Sequence, residues 1–147
     1  MTRDRNNESF PHGDALNLPE QTRFQRGWDT LRTVDGEGGE AVIESLRDVS
    51  PDLGRMVVEF AFGDVISRPG LDLKSREIAT VAALTALGNA RPQLKVHIHG
   101  ALNVGCTREE VVETIMQMAV YAGMPAALNG MFAAKEVFAE RDDQPNT

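Results

Sequence analysis

The stretch QLKVHIHGALNVGCTREEV, residues 93–111, carries His97, His99 and the single cysteine of the chain, Cys106. An imidazole titrates near neutral pH and can move protons or bind a metal. A thiol enters redox or nucleophilic chemistry once it is ionised. What these residues can do depends on where they point. Pro92 opens a helix that runs to about Val104 and stops at Gly105. At about 100° per residue its apolar face is Leu94, Ile98, Ala101 and Leu102. His97 falls inside that stripe, and His99 lies on the far side with Lys95 and Asn103, facing water or a neighbouring subunit. Residues two apart on a helix do not face one another, and zinc asks for three or four ligands at compatible spacing. The expectation is no metal. Cys106 stands just before Thr107, the N-cap of the next helix, where a small apolar residue packs at a helix entrance. A thiolate at that helix N-terminus has no visible partner in the sequence.

Other polar groups share this inward placement. On a helix over 51–66, Asp64 falls within a stripe of Leu53, Met56, Val57 and Phe60. A carboxylate there must be paired, protonated or in a solvated pocket. On the following helix Arg76 and Glu77 flank the face that continues as Thr80, Leu84 and Leu87. Further on, Gln117 and Tyr121 sit one turn apart beside Val111, Ile115 and Met118. Each has an ordinary structural explanation alone. Several together on inward faces make a candidate site, because active sites gather buried titratable groups.

The elements that position them read as helices throughout. A helix is expected from about Glu20 to Thr33, with Phe24, Trp28 and Leu31 at helical spacing. DGEGGE, 35–40, breaks it, and a short helix follows over 40–48. Ser50 and Pro51 start the helix that SRPG, 67–70, ends. Asp72 caps the next, which Gly88 closes; from Ile78 to Leu87 it is uncharged and expected to be buried on several sides. Thr107 and Glu110 form a capping box for a helix to about Ala122, and a last helix follows GMP, 123–125, toward Phe138. No strand candidate or fixed-period repeat survives, so the fold class is all-α, one domain over 20–139. Polar tails are expected at 1–19, poorly ordered, and at 140–147.

Composition narrows the function classes. The 147 residues carry 15 Lys+Arg against 22 Asp+Glu, a net charge of −7 that disfavours nucleic acid as a partner. No apolar run approaches the roughly 20 residues that span a bilayer, and the N-terminal residues lack the apolar core of a secretory signal. One cysteine makes no internal disulfide. A cytoplasmic protein acting on a small molecule is expected. A short chain with a nearly uncharged central helix must also cover apolar surface, and subunit contact is the expected cover.

FQRGWDTLRTVDGEGG, FAFGDVISRPGLDLKSREIATVAALTALG and QLKVHIHGALNVGCTREEVVETIMQMAVYAGMPAAL, in this order, resemble the carboxymuconolactone decarboxylase family of the alkylhydroperoxidase D-like superfamily. The likeness spans about residues 23–138. It implies an all-α helical bundle of that type, assembled as a trimer or hexamer, working in the cytoplasm without metal or organic cofactor on an aromatic-compound catabolite. His97 matches the histidine shared by both branches of the superfamily. The peroxidase branch has a C-x-x-C ahead of it; this chain has Gln93 at the second cysteine position, and Cys106 follows the histidine instead. Disulfide-based peroxide reduction needs two thiols. Glu77 resembles the proton-relay glutamate of the peroxidase branch. Asp64 takes the place of the glutamate in the W-G-E-(I/V)-W of decarboxylases, with Phe62 and Ile66 where the tryptophans stand. The chain thus resembles a paralogue of the pathway enzyme.

Loss of CO2 from an unsaturated carboxylated lactone leaves electrons that the ring carbonyl can accept. The protein must then anchor a carboxylate, stabilise an oxyanion and deliver a proton to carbon. His97 suits proton delivery, with Asp64 or Glu77 orienting the ring. Arg76 suits the carboxylate, with Arg68 and Tyr121 as further substrate-binding candidates. A thiol-dependent peroxidase and a non-catalytic oligomeric binding protein are the alternatives.

Overall fold

A computed structural model of the chain describes residues 21–144. The expected tail at 1–19 lies outside the described residues. Six α-helices and one π-helical segment follow in order: α1 (Arg23–Ser45), α2 (Pro51–Met56), the π segment (Val57–Ile66), α3 (Leu73–Leu87), α4 (Arg91–Asn103), α5 (Arg108–Ala122) and α6 (Met124–Asp142). No strand occurs among the described residues, so the all-α expectation holds. Among the described residues no helix is long and apolar enough to cross a membrane.

Local signals set most boundaries. Thr22 and Gln25 make a reciprocal capping box at the start of α1, as Thr107 and Glu110 do for α5. Asp72 accepts from the Ser75 amide to cap α3, and Gly88 ends it in the left-handed region. α6 continues to Asp142, beyond the expected end of the domain at 139.

The DGEGGE stretch breaks the first helix as expected, but at a single residue: α1 is two helical pieces joined at a kink at Gly36, whose φ of 57° and ψ of −139° only glycine adopts readily. The larger change is in the second helix and the π segment: of the stripe expected to face inward, Leu53, Met56 and Phe60 are exposed and Val57 is half-buried. The buried face is Gly54, Val58, Phe62 and Gly63 instead. The π segment packs backbone to backbone against α1: a Cβ on Gly27 would stand 1.9 Å from the Val58 carbonyl oxygen.

Apolar burial falls into two clusters. Leu31, Val34, Val58 and Phe62 join α1 to the π segment. A larger cluster, including Val81, Ile98, Val111, Ile115 and Val137, joins α3 to α6. α3 buries only one row, Glu77–Val81–Thr85, and leaves Ala79, Ala83 and Leu87 exposed, so it is not enclosed on several sides.

Candidate active site

Three polar side chains meet where α1, α3 and α4 converge. On α3, Glu77 heads the row that continues as Val81 and Thr85 at i+4 and i+8, which faces the core. On α4, His97 adjoins the buried Ile98, one turn before Ala101. On α1, Asp35 follows the buried pair Leu31 and Val34, and the kink at Gly36 comes directly after it. Glu77 is 1% and Asp35 6% exposed.

His97 Nδ1 lies 3.0 Å from Glu77 Oε2 and 3.7 Å from Asp35 Oδ1. The engaged nitrogen is Nδ1, so Nε2 is the ring atom left for a ligand, on a side chain that is partly exposed. Glu77 Oε1 and Asp35 Oδ1 are buried without a hydrogen-bond partner among the described residues. Two desolvated carboxylates in one place are costly unless a cation or a proton joins them. Burial pushes the Asp35 carboxyl up to about 6; the His97 charge opposes that rise and the Glu77 charge adds to it. Burial by itself pulls the His97 imidazole down. The hydrogen bond to Glu77 and the charges of Asp35 and Glu77 outweigh it, and the net direction is upward. The cluster therefore favours the imidazolium, the form that can give a proton.

Helix four makes room for this pair of acids with a glycine. A Cβ on Gly100, one turn after His97, would stand 2.6 Å from Asp35 Oδ1 and 3.0 Å from Glu77 Oε2. Asp35, Glu77 and His97 each offer one ligand atom within 4.8 Å of the others, the type of grouping that can hold a divalent cation. The two histidines do not share such a site. His99 points the other way and meets Glu140 of α6 at 3.0 Å, so its neighbour is a helix of the same chain.

The remaining candidates divide. Asp64 is not part of the cluster. It is partly exposed, bound by Arg23 (Nε to Oδ1, 3.0 Å) and paired with Arg26 at 3.5 Å. The Arg23 hydrogen bond holds its carboxyl below the usual range. It faces α1, and Asp35 takes the second carboxylate position that Asp64 was expected to fill. Arg76 is spent on the loop before it, with Nε donating to the Leu71 carbonyl at 3.1 Å and its terminal nitrogen to the Arg68 carbonyl at 3.0 Å. Arg68 lines a cleft of about 320 Å³ with Thr30, Thr33, Ile66 and Leu73. The acids on that cleft are engaged: Asp29 accepts from Gln21, and Asp72 caps α3. A larger groove, about 460 Å³, lies between α3 and α5 along Ile78, Thr114 and Gln117 and contains none of the clustered residues. Tyr121 is 78% exposed near the end of α5 and belongs to neither hollow.

Cys106 is the small buried residue that its position suggested, with Sγ 3.7 Å from the Lys74 carbonyl. Burial, then the charge of Glu110, pushes its thiol up, away from the thiolate that redox chemistry needs.

Known proteins share this framework. The model of the carboxymuconolactone decarboxylase family matches residues 51–136. The chain is 35% identical to 4-carboxymuconolactone decarboxylase of Acinetobacter baylyi over 122 residues, 82% of this chain and 90% of that protein. It is 32% identical to a nitrosuccinic acid decarboxylase of Metarhizium robertsii over 110 residues, 73% of this chain and 76% of that one. A 15.0 kDa protein of Paracoccus denitrificans is also 32% identical, over 89% of this chain and 98% of its own. The matched segment carries Glu77, His97 and Gly100, while Asp35 precedes it on α1. With that match covering more than half of its length, the chain belongs to the carboxymuconolactone decarboxylase family.

Proposed function

We propose that the chain is a cofactor-independent carbon–carbon lyase that removes CO2 from a small unsaturated carboxylated lactone or a related acid, with His97 as proton donor. The observation that carries this reading is the inward imidazole bonded at Nδ1 to a fully buried carboxylate, which leaves Nε2 as the reactive nitrogen. Two relatives whose names state decarboxylation of different acids support the reaction class.

The chemistry needs no added electron sink. The bond to the departing carboxylate breaks, its electron pair moves into the conjugated carbonyl, and CO2 leaves. In a nitro acid the nitro group would accept the same electrons. The resulting enolate or nitronate takes the proton from His97 Nε2 at carbon, and solvent restores it. Glu77 orients the ring and, with Asp35, stabilises its charged form.

Arg68 is the cation assigned to the substrate carboxylate, because Arg76 is committed to loop carbonyls. The Arg68 cleft contains none of the three clustered residues and approaches them along α3, where Leu73 stands one turn, about 6 Å along the axis, before Glu77. Assembly as a trimer or hexamer belongs to the same reading. Met116, Val120, Tyr121, Met124, Leu128 and Phe132 leave an exposed apolar surface on α5 and α6 that a second copy would cover. On this reading Tyr121 serves that contact.

Purified protein incubated with carboxylated lactones and with nitro dicarboxylic acids tests the proposal by CO2 release and ultraviolet absorbance. Turnover without added metal or thiol is expected for one of these classes. Thiol-dependent peroxide reduction in its place would overturn it.

A further inference from the structure

We infer that Asn103 is a positioning residue, an amide clamp on the break in α1 that holds Asp35 against His97. The inference rests on the reading of Asp35–Glu77–His97 as the working cluster.

Asp35 lies on the buried face with Leu31 and Val34 and is the last residue before α1 breaks, at Gly36. Where backbone dihedrals leave the helix, the ladder is interrupted and nearby carbonyls need other donors. The Val34 carbonyl, one peptide from Asp35, is met by Asn103 Nδ2 at 2.9 Å. The same amide nitrogen is the nearest atom, at 3.9 Å, to where a Cβ on Gly36 would be. Asn103 therefore faces the kink and not merely a neighbouring turn. Its orientation is fixed from the other side, because Arg141 of α6 donates to Asn103 Oδ1 at 3.0 Å. A cation on the oxygen leaves the NH2 group as the end that faces α1. The chain of contacts runs Arg141, Asn103, the Val34 carbonyl, Asp35, His97. It links the last helix to the imidazole through a residue six positions after His97 on the same helix.

The charged groups around α4 allow this to be read in the titration of His97. Asp35 faces the ring from α1 and Glu77 from α3. The α6 groups Glu136, Glu140 and Arg141 meet Arg91, Lys95, His99 and Asn103 on other faces of α4. Glu110 of α5 is paired with Lys74. Removing the Asn103 amide takes no charge from the cluster, so any change at His97 must come through geometry.

The test is the NMR titration of the His97 ring in the histidine-labelled full chain, which requires no substrate. The series is wild type, Asp35→Asn, Asn103→Ala, the double variant and Arg141→Met, with amide spectra confirming the fold. Asn103→Ala is expected to move the His97 midpoint downward, in the direction of Asp35→Asn. Arg141→Met should move it less. Adding Asn103→Ala to Asp35→Asn should produce no further shift. A wild-type midpoint in Asn103→Ala overturns the clamp, and so does a full further shift in the double variant. If Asn103→Ala does not fold, Arg141→Met decides: a midpoint identical to wild type overturns the inference. A wild-type His97 titrating no higher than free imidazole overturns instead the cluster reading beneath it.

Discussion

Gly100 and Asp35 compete for one space: a Cβ at position 100 would stand 2.6 Å from Asp35 Oδ1. The next nearest atoms are Glu77 Oε2 at 3.0 Å and Val34 Cγ1 at 3.2 Å. Both carboxylates are buried, so neither can retreat cheaply. Gly100→Ala is expected to destabilise the fold by about 1–3 kcal/mol, as overpacking of a close-packed site does. It should also displace the carboxylates from His97. Urea denaturation checks the first effect and the His97 titration the second. Wild-type behaviour in both would mean that the acids do not occupy that space.

Glu77→Gln keeps the shape of the side chain and removes its charge. The hydrogen bond to Glu77 raises the His97 midpoint, so its weakening should move the alkaline limb of the pH–rate profile to lower pH. Glu77→Ala should cost about 1–3 kcal/mol of stability as well, because it leaves a largely buried imidazole nitrogen unpaired. An unmoved limb in Glu77→Gln would remove Glu77 from the proton chemistry.

Asp35 gives a signed expectation for stability against pH. Its carboxyl rises from 3.8 to about 6 in the folded protein, so between those values the native state binds more protons than the unfolded one. Stability from this group is then highest below about 3.8 and falls as pH rises toward about 6. The raised His97 midpoint acts in the same direction at higher pH: its contribution is complete below about 6.5 and is lost as pH rises through the folded value. Asp35→Asn should become more stable relative to wild type from pH 4 to pH 7, by up to about 3 kcal/mol. Denaturant melts at the two pH values measure the difference, and a constant difference would contradict the raised carboxyl.

Cys106→Ala should retain wild-type turnover and lose about 1 kcal/mol of stability. Thiol reagents should modify wild-type Cys106 slowly in the folded state, since the residue is buried and its thiol pushed up. Loss of turnover on this substitution would restore a role for the thiol.

Periodicity made part of the site legible. The inward His97, the outward His99 and the entrance Cys106 followed from helical spacing on α4 and the capping box after it. Glu77 carried the same kind of signal, heading a row of Val81 and Thr85. Asp35 was hidden by its neighbours. Three glycines in DGEGGE read as a loop, whereas α1 tolerates them with a single break, and the spacing of Asp35 from Leu31 on the buried face was the missed sign. Asp64 was misplaced because the face it shares with Leu53, Met56 and Phe60 was read as the inward one, whereas Gly54, Val58 and Phe62 turn inward. Nothing in a wheel says which side of a segment with apolar residues all round meets the core. Arg76 and Arg68 could not be told apart by type, because only the fold shows which guanidinium the loop carbonyls consume.

The most direct measurement is CO2 release by His97→Gln on an acid that the wild-type protein decarboxylates, with circular dichroism confirming the fold. Loss of the proton donor should slow turnover by about 10²–10⁴-fold, and activity should not return at any pH. Turnover of the folded His97→Gln protein at the wild-type rate would contradict the assignment of His97.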